Sequence, residues 1–570
     1  MLPIVCETLE KILSMDQVKE AGISVKMVER SLDQGEAWLE GIESLYSILK
    51  QSESAGTSYP LIIYHGKHVT YHSILSMVDS MAETLRGKFS VQKGDRVGIA
   101  LPLSPQFIIS FFAAAKIGAV AVPMDHLLTT WEMETVVKFT GIRVLVAVYT
   151  ADVALKPDTG ISGVVLTRLQ EFLPFEKAVS VTAGQIARTT KLNRSGVKSA
   201  WFSEMIFEPK GEQEEVDLRN DPAVIFVFPS IDGDLRGITY TGRNLITSVA
   251  GMRDNMLIPK RRFRIASSTP VFSPSGFQLS VMLPVVLGGT VICAYERNDY
   301  ERIGRLCSLF DCDYVCGMPN DIYRMADEKI PLQGAKSLKG ALTPAYLMNG
   351  GIREMFEKAF NVPVLEYYDL AEMSGITHMQ PADRNLRKQG SVGKPLSGVI
   401  TRIVDETTGK EVEAGKTGLL LIGGEQVTRG YIPPQGTEEN FTDGFLRTGD
   451  MGFTDEDGFL YIKDFRREFL VSHDVIVSAR EIENFLRQVD GVADAAVIGV
   501  DTGKGDQEII AVVEPQKDRK VSVEGLREAC SSRLSMEKVP SSFEIRDALP
   551  KSMAGKVLKR ILIEERTAKK

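Results

Sequence analysis

From about Thr70 onward, helical periodicity and short β-rich runs alternate along the chain. SILSMVDSMAETLR places its apolar residues on one face of a helix, DRVGIALP reads as a strand, PQFIISFFAAAKIG as a helix and AVAVP as a strand. VLVAVY, AVIFVF, GGTVICAY, CDYVCGMP and PVLEYY repeat the pattern, each with a helical stretch beside it. This alternation predicts parallel sheets with crossover helices. After Gly390 the character changes. IVDETTGKEV, GLLLIGG and GFTDEDGFLYIKD read as short strands joined by tight turns, which predicts a small β-barrel or meander. Beyond Glu468 the pattern is a compact α+β module: helix SAREIENFLRQV, strands DAAVIGV and EIIAVVEP, and helix VEGLREACSSRL. Ser478 and Glu481 have the spacing of a capping box at the start of the first of these helices.

The fold class expected is α/β: a large N-terminal domain of several stacked βαβ sheets with a small barrel, over residues 1–466, and a small α+β C-terminal domain, over residues 467–570. At 570 residues the chain is too long for one ordinary core, consistent with two domains. The segment Gln185 to Asn220 is polar, mixed in charge and reads as a surface insertion. The start, MLPIVCETLEKILSM, has no basic leader and reads as an amphipathic helix. FIISFFAAAKIGAVAVP is the longest apolar stretch, but Lys116, Gly118 and Pro123 interrupt it. It is expected to be a buried helix and strand, not a membrane span. These features lead us to expect a cytoplasmic protein with no integral membrane segment.

Net charge is −8, and no Lys/Arg stripe reverses it locally, which excludes a phosphate-neutralising nucleic-acid surface. Six cysteines in so long a chain make no disulfide framework. Cys307, Cys312 and Cys316 match no common zinc spacing and read as small buried hydrophobes. Asp455, Asp457 and Gly458 resemble the start of a calcium loop, but the glutamate spacing is absent and a hairpin turn is expected.

Four segments carry the chemistry, in this order: DPAVIFVFPSIDGDLRG (Asp221 to Gly237), YDLAE (Tyr368 to Glu372), RTGD (Arg447 to Asp450) and PKSMAGK (Pro550 to Lys556). Together they resemble the AMP-forming acyl-CoA synthetases and their adenylate-forming relatives, over nearly the whole chain. That resemblance implies an acid–CoA ligase. A carboxylic acid, of the fatty class, is activated as an acyl-adenylate with ATP and Mg2+, and CoA then displaces AMP. It also implies a C-terminal lid that moves between the two half-reactions about a hinge near Arg467. Tyr368 matches the adenine-stacking aromatic, with Asp369 beside it. Glu372 matches the magnesium carboxylate, and Asp450 the carboxylate that accepts both ribose hydroxyls. Lys556 matches the lysine that donates to the substrate carboxylate and α-phosphate. Gly233, Arg236 and Gly237, with Thr241 and Asn244, keep the frame of the phosphate loop, in which a strand is expected to lead through the loop to a helix. Ser273 and Gly276 fall where the family lines its acyl pocket.

The departures are physical. Where relatives have T-S-G-T-T-G-x-P-K-G, this chain reads FPSIDGDLRG. Pro229 has no N–H to give a phosphate, and Asp232 and Asp234 set negative charge beside it. A like-charge contact at about 4 Å costs about 1 kcal/mol in water-like surroundings and about 4 kcal/mol nearer a protein surface. Asp369 and Ala371 stand for a glycine and a threonine, Asp464 and Phe465 for Gly-Arg before the hinge, and Ser273 for a histidine. Three readings are open at the level of sequence: a working ligase, a ligand-binding or protein-interaction module of the same fold without turnover, and an enzyme of the thioester-forming half-reaction only. The sequence names no protein partner.

Overall fold

The computed structural model describes the chain from residue 41 onward, apart from residues 55, 57, 150–158, 174–196, 205–210, 230–234, 257, 259–261, 294–299, 331, 435–439, 465–468, 518, 552–556 and 568–570. The amphipathic helix expected at the N-terminus and the expected 466/467 boundary lie outside the described residues.

The alternating pattern builds two large sheets. One has nine strands. Val364–Leu370, Gly340–Pro344, Tyr314–Cys316, Arg264–Ser267, Thr290–Cys293 and Pro60–Tyr64 run parallel through its centre. Gly375–Met379 and Lys394–Pro395 close one edge antiparallel, and Lys67–Thr70 closes the other. The second sheet has eight strands, in the order Tyr431–Ile432, Leu235–Thr241, Pro222–Pro229, Val120–Met124, Arg96–Ala100, Ile142–Val148, Gly163–Thr167 and Lys198–Trp201. One apolar core contains residues of both sheets.

The helix Pro105–Lys116 shows why the longest apolar run stays inside the protein. Ser104 caps it, Pro105 pre-sets its first turn, and the rings of Phe107 and Phe111 meet Phe277 edge to face. Lys116, which breaks the run, is buried with its ammonium 2.8 Å from Asp79. Among the described residues no helix is long and apolar enough to cross a membrane.

After residue 390, Val399–Val404, Gly418–Gly424, Phe445–Thr454, Phe441–Thr442 and Leu460–Asp464 form a five-stranded antiparallel sheet, the expected small meander. Asp455 and Gly458 make the hairpin turn, with Lys388 at 2.6 Å from Asp455 and 2.5 Å from Asp457 filling the place of any cation. The C-terminal module has a hairpin (Phe469–Ser472, Val475–Ser478), a three-stranded sheet (Val492–Asp501, Gln507–Pro515, Ser542–Ile545) and helices Ala479–Leu486, Val523–Arg533 and Lys559–Thr567. Ser478 accepts from the Glu481 N–H at 3.3 Å, but the Glu481 carboxylate faces Lys538 at 2.7 Å instead of closing a capping box.

Two expectations are corrected. Within the supposed insertion, Lys198–Trp201 is a strand added parallel to Gly163–Thr167, so this polar stretch supplies the edge of the eight-stranded sheet. The phosphate loop does not lead from strand to helix. It joins two antiparallel strands, Pro222–Pro229 and Leu235–Thr241, and the helix Gly242–Met256 starts only after the second. Cys307, Cys312 and Cys316 are buried, and no metal-holding group of three or more His, Cys, Asp or Glu occurs among the described residues.

His378, on the strand Gly375–Met379, ties the nine-stranded sheet to the meander. Its Nε2 lies 2.8 Å from Thr401 Oγ1 and its Nδ1 lies 3.0 Å from Thr377 Oγ1. Burial pushes its imidazole down to about 3. The unfolded imidazole, near 6.5, therefore takes up a proton that the folded one refuses. Its contribution to stability is complete above pH 6.5 and falls as pH drops, by about 2 kcal/mol at pH 5. Asp321, whose carboxyl burial lifts to about 6, contributes the opposite slope. The check is accordingly a difference: urea unfolding of wild type and His378→Gln at pH 7 and pH 5, with the loss between the two pH values smaller in the variant. Equal losses would contradict it.

Candidate active site

The strand Val364–Leu370 ends in a single 3-10 turn, Ala371–Met373, before the chain reverses into Gly375–Met379. Gly375 has φ of 105°, and a Cβ there would lie 3.1 Å from the backbone of Ser275, so the reversal requires glycine. This turn sets Tyr368, Asp369 and Glu372 at the end of the sheet. Sequence places Asp450 82 residues away, on Phe445–Thr454, yet the fold brings the two segments together. The Tyr368 hydroxyl donates to Asp450 Oδ2 at 2.5 Å, and both residues are buried. A phenol donating to a carboxylate in a dry setting is a strong, charge-assisted bond. The Asp450 N–H donates to Thr448 Oγ1 at 3.0 Å, which fixes the RTGD stretch of that strand.

Glu372 is 8 % exposed and is held twice by one segment. The Thr428 N–H donates to its carbonyl at 2.8 Å, and the Tyr431 hydroxyl donates to its Oε1 at 3.0 Å. Tyr240 lies against the same group. Burial first, then the negative charge of Glu372, hold its phenol well above its ordinary value and therefore protonated.

Arg236 and Gly237 are on the strand that leaves the phosphate loop. Gly237 pairs with Ile432, and a Cβ there would meet Ile225 at 3.1 Å and Ile432 at 3.3 Å. The Arg236 guanidinium stands 5.1 Å from the centre of the Tyr431 ring. The next helix is anchored by Thr241 and Asn244: Thr241 N donates to Asn244 Oδ1 at 2.9 Å, and Asn244 Nδ2 donates to the carbonyls of Glu425 and Val427 at 2.8 and 3.1 Å. The loop frame and the segment 425–432 are thus one hydrogen-bonded unit.

Other candidates are placed differently. Ser273 Oγ accepts from the Gly276 N–H at 3.1 Å and donates to the Pro270 carbonyl at 2.8 Å, and so caps the helix Pro274–Phe277. A Cβ on Gly276 would lie 2.1 Å from that same carbonyl. Gly233, with Asp232 and Asp234, Arg467, Phe465 and Lys556 lie outside the described residues. Sequence reasoning missed Tyr431, Thr428 and Tyr240. No spacing could have shown that a tyrosine 59 residues from Glu372 reaches its carboxylate.

Chemically, the site joins buried carboxylates, phenols and a guanidinium contributed by three sheets. A magnesium ion fits such a donor set only if other oxygens come with it, because a hard cation held by one carboxylate completes its shell with phosphates and water.

Residues 50–432 match the AMP-binding enzyme family, and residues 481–556 match the AMP-binding enzyme C-terminal domain. The chain is 27 % identical to a long-chain-fatty-acid–CoA ligase of Bacillus subtilis over 541 residues, covering 92 % of this chain and 95 % of that one. It is 29 % identical to a sulfoacetate–CoA ligase of Cupriavidus necator over 344 residues, 59 % of this chain and 65 % of that one. Among solved structures, the o-succinylbenzoate CoA synthetase of Bacillus subtilis, a double mutant bound with its product analogue, shares the fold at a TM-score of 0.75 and 21 % identity, covering 91 % of this chain and 98 % of that one. With both of its modules matched in order on a fold of this kind, the chain belongs to the AMP-binding enzyme family.

Proposed function

We propose that this protein is an AMP-forming acid–CoA ligase. The observation that carries the reading is the convergence of Tyr368, Asp450 and Glu372, from segments up to 82 residues apart, beside Arg236 at the exit of the phosphate loop. In this reading Asp450 takes the ribose hydroxyls, Tyr368 the adenine face, and Arg236 with Gly233 and Gly237 the polyphosphate. Glu372 holds Mg2+, which supplies charge neutralisation at the phosphates when bound. Lys556 donates to the reacting carboxylate and α-phosphate. The substrate is a small-molecule carboxylic acid. A fatty acid is the class taken by the relative that matches over nearly its whole length, and a sulfonated acid is taken by another.

The Tyr368 hydroxyl takes one acceptor site of the Asp450 carboxylate. An ionised carboxylate offers about four such sites, so it accepts the ribose hydroxyls without giving up that bond. The expected result is calorimetric binding of Mg-ATP and of AMP in the micromolar range, with Asp450→Asn weakening both about tenfold. Purified protein given a panel of carboxylic acids, ATP and CoA should then release AMP and form a thioester with at least one of them. Binding of an acyl-adenylate mimic without ATP binding would restrict the protein to the thioester half-reaction. Binding of neither would refute the ligase reading.

A further inference from the structure

We propose that Tyr431 is the positioning residue of the phosphate half of the site, aiming the Glu372 carboxylate through its hydroxyl and bracing Arg236 through its ring. The inference rests on the reading of Glu372 as the carboxylate that holds the metal. Three contacts carry it. The Tyr431 hydroxyl donates to Glu372 Oε1 at 3.0 Å, the Arg236 guanidinium stands 5.1 Å from the ring centre, and the ring is buried against Phe441. A tyrosine buried for packing alone can satisfy its hydroxyl with backbone carbonyls, as Tyr71 does here with Pro284 and Gly289 at 3.0 and 2.8 Å. Tyr431 instead lies between opposite charges, an anion at its hydroxyl and a cation at its ring.

The backbone fixes that arrangement. Tyr431 pairs with Ile238 and Ile432 with Gly237, on the strand that begins where the phosphate loop ends. The same short segment holds the Glu372 carbonyl through the Thr428 N–H, so the carboxylate is set from both its main chain and its side chain. A displacement of the loop strand is therefore passed to the carboxylate through the Tyr431 ring and to the Glu372 main chain through Thr428. Aiming matters most for a metal held by a single protein oxygen, because the other oxygens arrive with the nucleotide and cannot correct a misdirected one.

Two affinities separate positioning from simple packing: Mn2+ retained with β,γ-imido-ATP, read by electron paramagnetic resonance, and AMP, read by calorimetry. Tyr431→Phe, which keeps the ring and loses the hydroxyl, is expected to weaken Mn2+ retention about tenfold and leave AMP affinity within about twofold. Glu372→Gln is expected to weaken Mn2+ at least as much. If Glu372→Gln changes nothing, or the wild-type protein retains no Mn2+ with the nucleotide, the reading of Glu372 fails. If Glu372→Gln weakens Mn2+ and Tyr431→Phe does not, the positioning role alone is overturned. Equal losses for Mn2+ and AMP in Tyr431→Phe would make the residue merely structural. Should Tyr431→Phe fail to fold, Arg236→Gln probes the other side of the ring. Because Arg236 is also assigned to the polyphosphate, its Mn2+ retention is set beside the affinity for metal-free β,γ-imido-ATP: Mn2+ is expected to weaken about threefold more than the metal-free nucleotide, and equal losses would overturn the proposal.

Discussion

Replacing Lys538 with methionine is expected to cost about 3–5 kcal/mol and to loosen the C-terminal module from the large domain. Lys538 Nζ lies 2.8 Å from Glu132 and 2.7 Å from Glu481, and all three side chains are largely buried. Burial works to lower the ammonium's pKa, but the charges of Glu481 and Glu132 outweigh it and hold the group charged, above its ordinary value. Methionine fills much of the same volume but leaves Glu132, 4 % exposed, as an anion without its cation. The loss falls on docking because Glu132 belongs to the helix Thr130–Thr140, while Lys538 follows the helix Val523–Arg533. Beside the pair, Thr129 Oγ1 donates to the Arg533 carbonyl at 2.7 Å, and elsewhere between the modules Asn349 Nδ2 donates to the Gly503 carbonyl at 3.4 Å. Calorimetric unfolding should show the C-terminal transition at lower temperature, and the double variant Lys538→Met with Glu132→Gln should recover most of the loss. A change under about 1 kcal/mol, or no recovery in the double variant, would show that the pair does not hold the modules together.

The pattern of apolar positions showed the central strands Val120–Met124, Ile142–Val148, Thr290–Cys293, Tyr314–Cys316 and Val364–Leu370 because each is a short, β-rich run largely buried on both faces, whereas Pro60–Tyr64, Arg264–Ser267 and Gly340–Pro344 were not singled out. Lys198–Trp201 escaped it. As an edge strand of four residues it needs no apolar alternation, and only its neighbour Gly163–Thr167 determines that it pairs. The phosphate loop was misplaced for a related reason. LRGITYT carries an arginine and a glycine among its apolar residues, so its β character depends on pairing with Pro222–Pro229 on one side and Tyr431–Ile432 on the other. Tyr368, Glu372 and Asp450 stood out as candidates because each sits in a motif that survives as a string, and the fold sets Tyr368 against Asp450. Tyr431 did not stand out, since its importance lies in a hydrogen bond to a residue far away in sequence, and a local pattern carries no record of such a contact. The reverse holds for Ser273 and Gly276, whose motif is visible but whose atoms are engaged in capping one short helix.

Lys556→Ala is expected to lower adenylate formation about 10²–10³-fold, the range seen when one donor to developing transition-state charge is lost. The flanks of its loop explain why the effect should be confined to that step. Lys551 bridges to Val557, the Leu558 N–H donates to the Pro550 carbonyl at 2.7 Å, and Lys551 Nζ is 2.9 Å from Asp494 and 3.1 Å from Glu514. The neck on either side of residues 552–556 is thus held by Pro550, Lys551, Val557 and Leu558. Lys559 is the contrasting case. Its ammonium lies 2.8 Å from Glu483, which is 1 % exposed, so Lys559→Met should destabilise the C-terminal module with no specific effect on either half-reaction. The measurement is pyrophosphate release with acid and ATP, set beside thioester formation from a supplied acyl-adenylate and CoA. A cation that stabilises charge only in the transition state of adenylate formation is not needed in the other step, so in Lys556→Ala the first rate should collapse and the second stay within about threefold of wild type. Equal rates in wild type and variant for pyrophosphate release would remove the lysine from the chemistry. Equal losses in both half-reactions would make it a general binding group, since losing uniform binding lowers both rates alike.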